Sequence, residues 1–269
     1  MCKLIKAEFF KLRKSLYFKV ILLGTALYAF MDIYGSFIGI YQSLNGLREF
    51  IHSFLFWGRC LMLCGILAGV FVGGDFDNRI LHSQIAVGNS MENIFLSKAY
   101  VYWIACMAVV LIYQSVDVIG ITCLFGFGLR VTLYEFMLLV RAETVYLIVV
   151  SGFVSVCILV AFIFKALFAV TAVEIVWIMF VSPIFQNLAS INAAFNYLYV
   201  NSIFGIMTSL TLPLYTNENG VRSLETVPAK EIFEILEGQH YARFVLISLV
   251  TVFVSLLISY NIFRKTEFK

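Results

Sequence analysis

The sequence predicts an all-α protein that crosses a membrane several times. Of its 269 residues, 62% are hydrophobic and only 13% are charged, and the mean hydropathy is +0.95. A core of this size cannot bury such an excess of apolar side chains, so the solvent of most of them must be lipid. The low number of prolines and the long uncharged runs favour helices over a barrel, whose strands would alternate apolar and polar residues.

Six apolar runs are predicted to be spans, at residues 20–40, 54–72, 99–125, 144–164, 167–182 and 243–263. Residues 131–140 are also apolar, but about ten residues cannot cross the hydrocarbon core, so a separate interfacial segment is predicted there. An even number of spans puts both termini on one side of the membrane. Lys and Arg are more frequent on that side, which places the termini in the cytoplasm.

The segment 2–19 is basic and contains a single acidic residue, Glu8. Its apolar residues Ile5, Phe9, Leu12 and Leu16 recur at helical spacing. This pattern predicts an amphipathic helix on the membrane surface, and a DNA-binding arm is disfavoured by the interspersed aromatic residues. The basic residues predicted to face the headgroups are Lys3, Lys6, Lys11, Arg13 and Lys14.

A polar segment at residues 73–98 separates the second and third predicted spans. Asp75, Asp77 and Asn78 precede a short helical stretch and are predicted to cap it by accepting its free N–H groups. Gly88 is a helix stop, and Ser90 can cap the next long helix. A short helix between two spans suits contact with a soluble partner, and the alternative is an ordinary capped loop.

The residues 183–242 form the one large polar segment on the other side of the membrane. Its first part, up to Leu214, is apolar but rich in asparagine, which predicts a pair of short re-entrant helices that dip part-way into the membrane. Its second part is acidic. There we predict a short helix over Ala229–Glu237 that buries Ile232, Phe233 and Leu236.

Few residues in the chain are arranged for chemistry. No phosphate-binding G-x-x-x-x-G-K-[ST] loop occurs, the three histidines are far apart, and no serine lies in a nucleophile-elbow pattern. Cys60 and Cys64 share a helix face, but no His, Asp or Glu joins them at ligand spacing, so no metal site is expected. We predict that the chain itself is not an enzyme. The net charge of +3 is too small to indicate nucleic-acid binding.

Three acidic residues fall within predicted spans, namely Asp32, Asp117 and Glu174. Each would cost about 2.5–3.5 kcal/mol near the centre of a membrane helix, so each should face protein, a cavity or an interface. They would line a substrate path or a proton relay, or they would form polar contacts between helices or subunits or lie near the headgroups. For Asp32, close to the outer boundary, we favour the second alternative, and for Asp117 and Glu174 both stay open.

The order of elements resembles the membrane subunit of a type-2 ABC exporter. The matching parts are KLIKAEFFKLRKSLYFK before the first span, GGDFDNRILHSQIAVGNSMENIFLSK after the second, and YNIFRKTEFK at the end. Within that class the chain is most similar to the permeases of lantibiotic-immunity and bacitracin-resistance exporters, and to those that export phenol-soluble modulins.

The resemblance implies a pair of permeases, expected to be a homodimer, in a bacterial plasma membrane. It also implies two separate ATP-binding subunits that bind ATP and Mg²⁺, while this chain binds no cofactor. The helix at about Asn78–Val87 would fit into a cleft of the ATP-binding subunit. The residues expected to couple it are Asp75, Asp77, Asn78, Arg79, Ile80, Leu81, His82 and Gln84.

In such families the first, second and fifth spans line the passage, which makes Glu174 a better candidate for the path than Asp117. The acidic segment Thr216–Gln239 is longer than in the smallest members. The expected function is export of amphipathic or antimicrobial peptides, for toxin export or self-immunity. The alternatives are export of a drug, ion or lipid-linked substrate, or a secondary carrier without an ATPase partner.

Overall fold

The computed structural model of the chain describes residues 1–38, 46–53, 57–128, 132–207, 216–217, 220–221, 229–238 and 240–266. The parts of the predicted segments that fall in the gaps, such as residues 39–45, 54–56 and 208–215, lie outside the described residues. Within the described ranges the helices are α1 Cys2–Lys14, α2 Leu16–Phe37, α3 Gly46–Ser53, α4 Trp57–Ala68, α5 Gly74–Asp77, α6 Ile80–Ala86, α7 Met91–Phe125, α8 Leu133–Phe164, α9 Leu167–Val176, α10 Ser182–Ile191, α11 Ala193–Val200, α12 Ala229–Gly238 and α13 Tyr241–Thr266. Residues 203–207 are helical as well.

Two π-helical turns join neighbouring helices: Gly69–Gly73 connects α4 to α5, and Trp177–Val181 connects α9 to α10. A small antiparallel ribbon pairs β1 (Thr216–Asn217) with β2 (Gly220–Val221). All other regular structure in the described residues is helical.

Five helices in the described residues are long and apolar enough to cross a membrane, at Leu16–Gly35, Met91–Phe125, Leu133–Phe164, Leu167–Ala189 and Tyr241–Lys265. The protein is therefore an all-α, multi-pass membrane protein. The predicted second span, 54–72, corresponds to α4 and the π-helical turn after it, and is not one of the five.

The predicted boundary between an interfacial segment at 131–140 and a span at 144–164 is wrong. Helix α8 runs without a break from Leu133 to Phe164. Thr132 and Glu135 form a capping box at its start. The charged residues further along the helix contact other parts of the protein. The Arg141 guanidinium lies 4.6 Å from the ring centre of Tyr241, and Glu143 accepts a hydrogen bond from Gln114 at 3.4 Å.

The predicted end of the fifth span at Pro183 is also wrong, because the candidate span there continues to Ala189. Pro183 lies in the first turn of α10, directly after the π-helical turn. A proline in a first turn lacks only an N–H that has no partner in a regular helix, so it need not end the helical run. A pair of short helices does follow, since α11 packs on α10 after a break at Asn192. That this pair dips into the membrane stays a prediction.

The short acidic-segment helix is confirmed. Helix α12 runs over Ala229–Gly238 and buries the predicted residues: Ile232 is 0% exposed, Phe233 7% and Leu236 2%. This apolar face packs against α8.

Helices α7 and α8 form the centre of the bundle. Helices α2 and α3 pack on α7, α13 packs on α8, and α4 packs against α7, α8 and α9. One end of the bundle, which we call the α6 end, holds α1, α5, α6 and the aromatic rings of Phe76, Phe95, Phe162 and Phe263 in mutual contact. We call the opposite end the α3 end. There the N–H of Gly46, at the start of α3, donates a 3.0 Å hydrogen bond to the carbonyl of Gly126, directly after α7.

A row of glycines spaced four residues apart brings α4 and its π-helical turn close to α9. A Cβ on Gly65 would lie 2.7 Å from the Cβ of Glu174, and one on Gly73 would lie 3.1 Å from the Cα of Leu167. Gly69 faces the side-chain oxygen of Thr171 in the same row. Small residues are what allow membrane helices to approach so closely.

Candidate functional site: a buried charge cluster at the α6 end

A cluster of charged side chains lies inside the protein at the α6 end. The ammonium group of Lys98 is 3.0 Å from Oε1 of Glu8 and also forms an ion pair with Asp75. Lys11 forms a second ion pair with Asp75, and the Gln84 amide donates a 2.8 Å hydrogen bond to Oε1 of Glu8. We call these five residues the charge cluster.

The cluster is closed to solvent at its centre: Lys98 is 0% exposed, and Glu8 and Asp75 are each 2% exposed. Two acids face two bases, so the formal charges balance. The ammonium groups of Lys11 and Lys98 each lie 5.5 Å from the ring centre of Phe71, whose face adds a cation–π attraction. Removal of one partner would leave a buried charge without compensation, which is far less favourable than the loss of a surface ion pair.

The charge cluster joins four separate elements: Glu8 and Lys11 lie in α1, Asp75 in α5, Gln84 in α6 and Lys98 in α7. Helix α1 is separated from α2 by Ser15, whose backbone is extended with φ −60° and ψ 125°. Packing of Leu12 and these polar contacts therefore fix α1 in place, rather than continuity with α2.

The short helix α6 comes after α5, the helix that contains Asp75 of the charge cluster. It begins after Arg79, which has the left-handed φ of 54°, and it ends near Gly88, which has a φ of 88°. Gly88 is thus the predicted helix stop, and Ser90 is the predicted cap of α7, because its hydroxyl accepts the N–H of Asn93 at 3.4 Å. The helix is shorter at both ends than the predicted Asn78–Val87.

The predicted caps of α6 make other contacts, so that prediction is wrong. Asp75 lies in the charge cluster. The carboxylate of Asp77 accepts the N–H of Leu167 at 3.0 Å, and Asn78 donates to the carbonyl of Gly74 at 2.7 Å. Asp77 thus binds a free N–H at the start of α9, which lies far from it in the sequence. The spacing of residues along the chain could not predict this partner.

The eight residues predicted to couple to a partner fall into two groups. Asp77, Asn78, Arg79 and His82 are exposed, and Ile80 and Gln84 are half-buried. Leu81 and Asp75 are buried, so they hold the segment on the bundle and leave the others at the surface.

Of the residues predicted to face lipid headgroups, Lys3, Lys6, Arg13 and Lys14 are exposed. Lys11 differs, because it points to Asp75. Ile5, Phe9 and Leu12 share one face of α1, as predicted, and this face packs on the protein core; Leu16 instead belongs to α2 and is 71% exposed.

The acidic residues within the spans lie in separate places. The Tyr113 hydroxyl donates a 2.9 Å hydrogen bond to Asp32, a polar contact between helices of the kind included in the favoured alternative. Asp117 is fully buried near the α3 end, where its carboxylate lies beside that of Glu49. Glu174 is 2% exposed and lies beside the thiol of Cys157 in α8. The structure does not bring Asp117 and Glu174 together.

Sequence reasoning missed Glu8 and Lys98. A signal for each was present: Glu8 is a lone acid on the apolar face of a basic helix, and Lys98 lies at helical spacing with the buried residues Ile94, Phe95 and Tyr102. Within the described residues, no group of three or more His, Cys, Asp or Glu side chains can hold a metal ion.

A comparison of the chain with models of known protein families gives no match, and a comparison with curated proteins gives none either.

Proposed function

We propose that the chain is the membrane subunit of an ATP-driven exporter and works with separate ATP-binding subunits. The observation that carries this proposal is the charge cluster. It connects the exposed helix α6 with α1 on one side and with the long helix α7 on the other.

Movement of α6, together with the short helix α5 before it, has two routes into the bundle. Gln84 contacts Glu8, which in turn contacts Lys98 in α7. Asp77 contacts the first residue of α9, the helix that contains Glu174. Closure of ATP-binding subunits against α6 would therefore act on two helices that contain buried polar groups. ATP and Mg²⁺ belong to the partner, and this chain supplies the contact surface and the passage.

The substrate class that we propose is an amphipathic or antimicrobial peptide, in toxin export or self-immunity. It rests on the resemblance in sequence rather than on the geometry of a pocket. Drugs, ions and lipid-linked molecules are the alternative substrates of the same architecture. The working unit would be two permease chains in a bacterial plasma membrane, with both termini in the cytoplasm.

The test is a pull-down of the tagged protein from its own host in mild detergent, with the co-purifying proteins identified. An ATP-binding subunit in near-equal amount supports the proposal. Its absence, in a preparation that keeps the permease dimeric, overturns it. Peptide sensitivity of hosts that lack the gene then separates peptide export from drug export.

A secondary carrier is the second candidate, favoured by the burial of Asp117 beside Glu49. Buried acids in membrane helices are a common feature of ion and proton pathways. Reconstitution of the chain alone with an ion gradient distinguishes the two. A carrier transports under these conditions and loses transport in Asp117→Asn, whereas an exporter subunit without its ATPase transports nothing.

A further inference from the structure

A long apolar groove runs along the outside of α7, α8 and α13. It consists of two adjoining cavities of about 440 and 290 Å³, which share Leu96, Val252 and Leu256 as lining residues. The helices that form it are three of the five candidate membrane spans. The groove therefore opens toward lipid rather than toward water.

One acidic and one basic residue lie close to the end of the groove nearest the α6 end. Glu92 lines it and accepts a 3.1 Å hydrogen bond from the hydroxyl of Tyr260. Arg264 lies one helical turn beyond Tyr260 and acts on that hydroxyl electrostatically. Both charged side chains are exposed, and among the described residues no ion pair joins them.

Trp103 lines the other end of the groove, and its indole N–H donates a 2.9 Å hydrogen bond to the hydroxyl of Ser151. Trp103 follows Glu92 by 11 positions in α7, which corresponds to roughly 16 Å along the helix axis. A slot of that length, lined mostly by apolar side chains and with charged residues at one end, matches one acyl chain and its headgroup.

We propose that this groove binds one phospholipid with a phosphoethanolamine headgroup. The phosphate would face Arg264, and the ammonium group would donate hydrogen bonds to Glu92. The acyl chain would lie against Val252 and Leu256 with its end near Trp103. A zwitterion matches this pair of opposite charges better than an anionic headgroup does, and a methylated ammonium cannot donate the hydrogen bond to Glu92.

The test uses tryptophan fluorescence in vesicles of phosphatidylcholine. Brominated acyl chains quench a tryptophan that they touch, so brominated phosphatidylethanolamine is compared with brominated phosphatidylglycerol at equal, low mole fractions. Of the three tryptophans in the chain, variants keep only Trp103 or only Trp177. Trp177 is 45% exposed in the π-helical turn after α9, away from the groove, and reports general contact with lipid.

We expect phosphatidylethanolamine to quench Trp103 at a lower mole fraction than phosphatidylglycerol, and both lipids to quench Trp177 equally. Val252→Phe should remove the preference, because it fills the groove where the two cavities meet. Val254→Phe is the matched control, since Val254 is on the same helix, 46% exposed, and outside the groove.

Headgroup recognition is tested separately at the surface, where substitutions do not disturb folding. Arg264→Gln should lower the preference about fivefold, while Lys265→Gln at the next position should leave it unchanged. Equal quenching of Trp103 by both lipids in the unaltered protein overturns the proposal. Quenching of Trp103 by neither lipid also overturns it, since a protein segment would then cover the groove.

Discussion

The ammonium group of Lys98 lies 3.0 Å from Oε1 of Glu8, which precedes it by 90 residues, and neither side chain is open to solvent. This contact fixes the amphipathic helix α1 to the start of α7. A helix on a membrane surface would otherwise be held only by its apolar face. The same ammonium group reaches Asp75, so the contact also fixes the segment that leads into α6.

Lys98→Met should therefore destabilise the protein strongly. It leaves the carboxylates of Glu8 and Asp75 buried with less compensation, for which a loss of about 3–5 kcal/mol in the free energy of unfolding is expected. Chemical denaturation of the purified protein in detergent measures this loss.

Lys6→Met is the matched control, since Lys6 is on α1 and exposed, and it should change the free energy of unfolding by less than about 0.5 kcal/mol. In the double variant, Glu8→Gln should recover part of the loss caused by Lys98→Met. Equal effects of Lys98→Met and Lys6→Met on the free energy of unfolding would show that the Lys98–Glu8 contact contributes little. So would a double variant in which the effects of Lys98→Met and Glu8→Gln simply add.

The long helices were predictable from sequence because lipid selects uninterrupted apolar runs. The continuity of α8 was not, since Arg141 and Glu143 look like a boundary until Tyr241 and Gln114 are known to face them. The charge cluster depends in the same way on contacts between residues far apart in the chain. The pattern of residues identifies the polar segment 73–98, but it cannot assign Asp75 to Lys98 rather than to the helix that follows.

Alanine substitutions at two glycines should change the stability of the protein in opposite directions. The first glycine, Gly69, lies where α4 and its π-helical turn approach α9. A Cβ on Gly69 would lie 2.8 Å from the carbonyl oxygen of Leu167, and this backbone atom cannot move aside like a side chain. Gly69→Ala should therefore destabilise the protein by about 1–3 kcal/mol.

Gly24→Ala serves as the comparison, because Gly24 lies in α2 with no other atom within 4 Å of an added Cβ. It should stabilise the protein by about 0.5–1 kcal/mol through the higher helix propensity of alanine. Thermal unfolding of both variants in the same detergent gives the comparison. A neutral Gly69→Ala would mean that α4 and α9 are less closely packed.

Charge reversal near α6 tests the coupling in the proposed exporter. Arg79→Glu alters the exposed surface beside α6 without touching the charge cluster. In a complex with its ATP-binding subunit, it should lower peptide export more than ATP hydrolysis, while the amount of folded permease is unchanged.

Glu234→Lys is the control for that experiment. Glu234 is exposed on α12 at the α3 end, where it forms a 3.7 Å ion pair with Lys230. It should leave both export and ATP hydrolysis as they are. Normal export by Arg79→Glu would argue against α6 as the contact with the ATP-binding subunit.

The predicted topology can be checked with the cysteines of the chain. Cys2 at the α6 end and Cys123 near the α3 end are exposed, whereas Cys64, Cys106 and Cys157 are buried. In a Cys60→Ser background, an impermeant maleimide applied to intact cells should label Cys123, because its side of the membrane is predicted to face outward. Cys2 should react only after the cells are permeabilised. Variants with Cys2→Ser or Cys123→Ser assign each signal, and labelling of Cys2 alone in intact cells would reverse the orientation and place α6 outside the reach of cytoplasmic ATP-binding subunits.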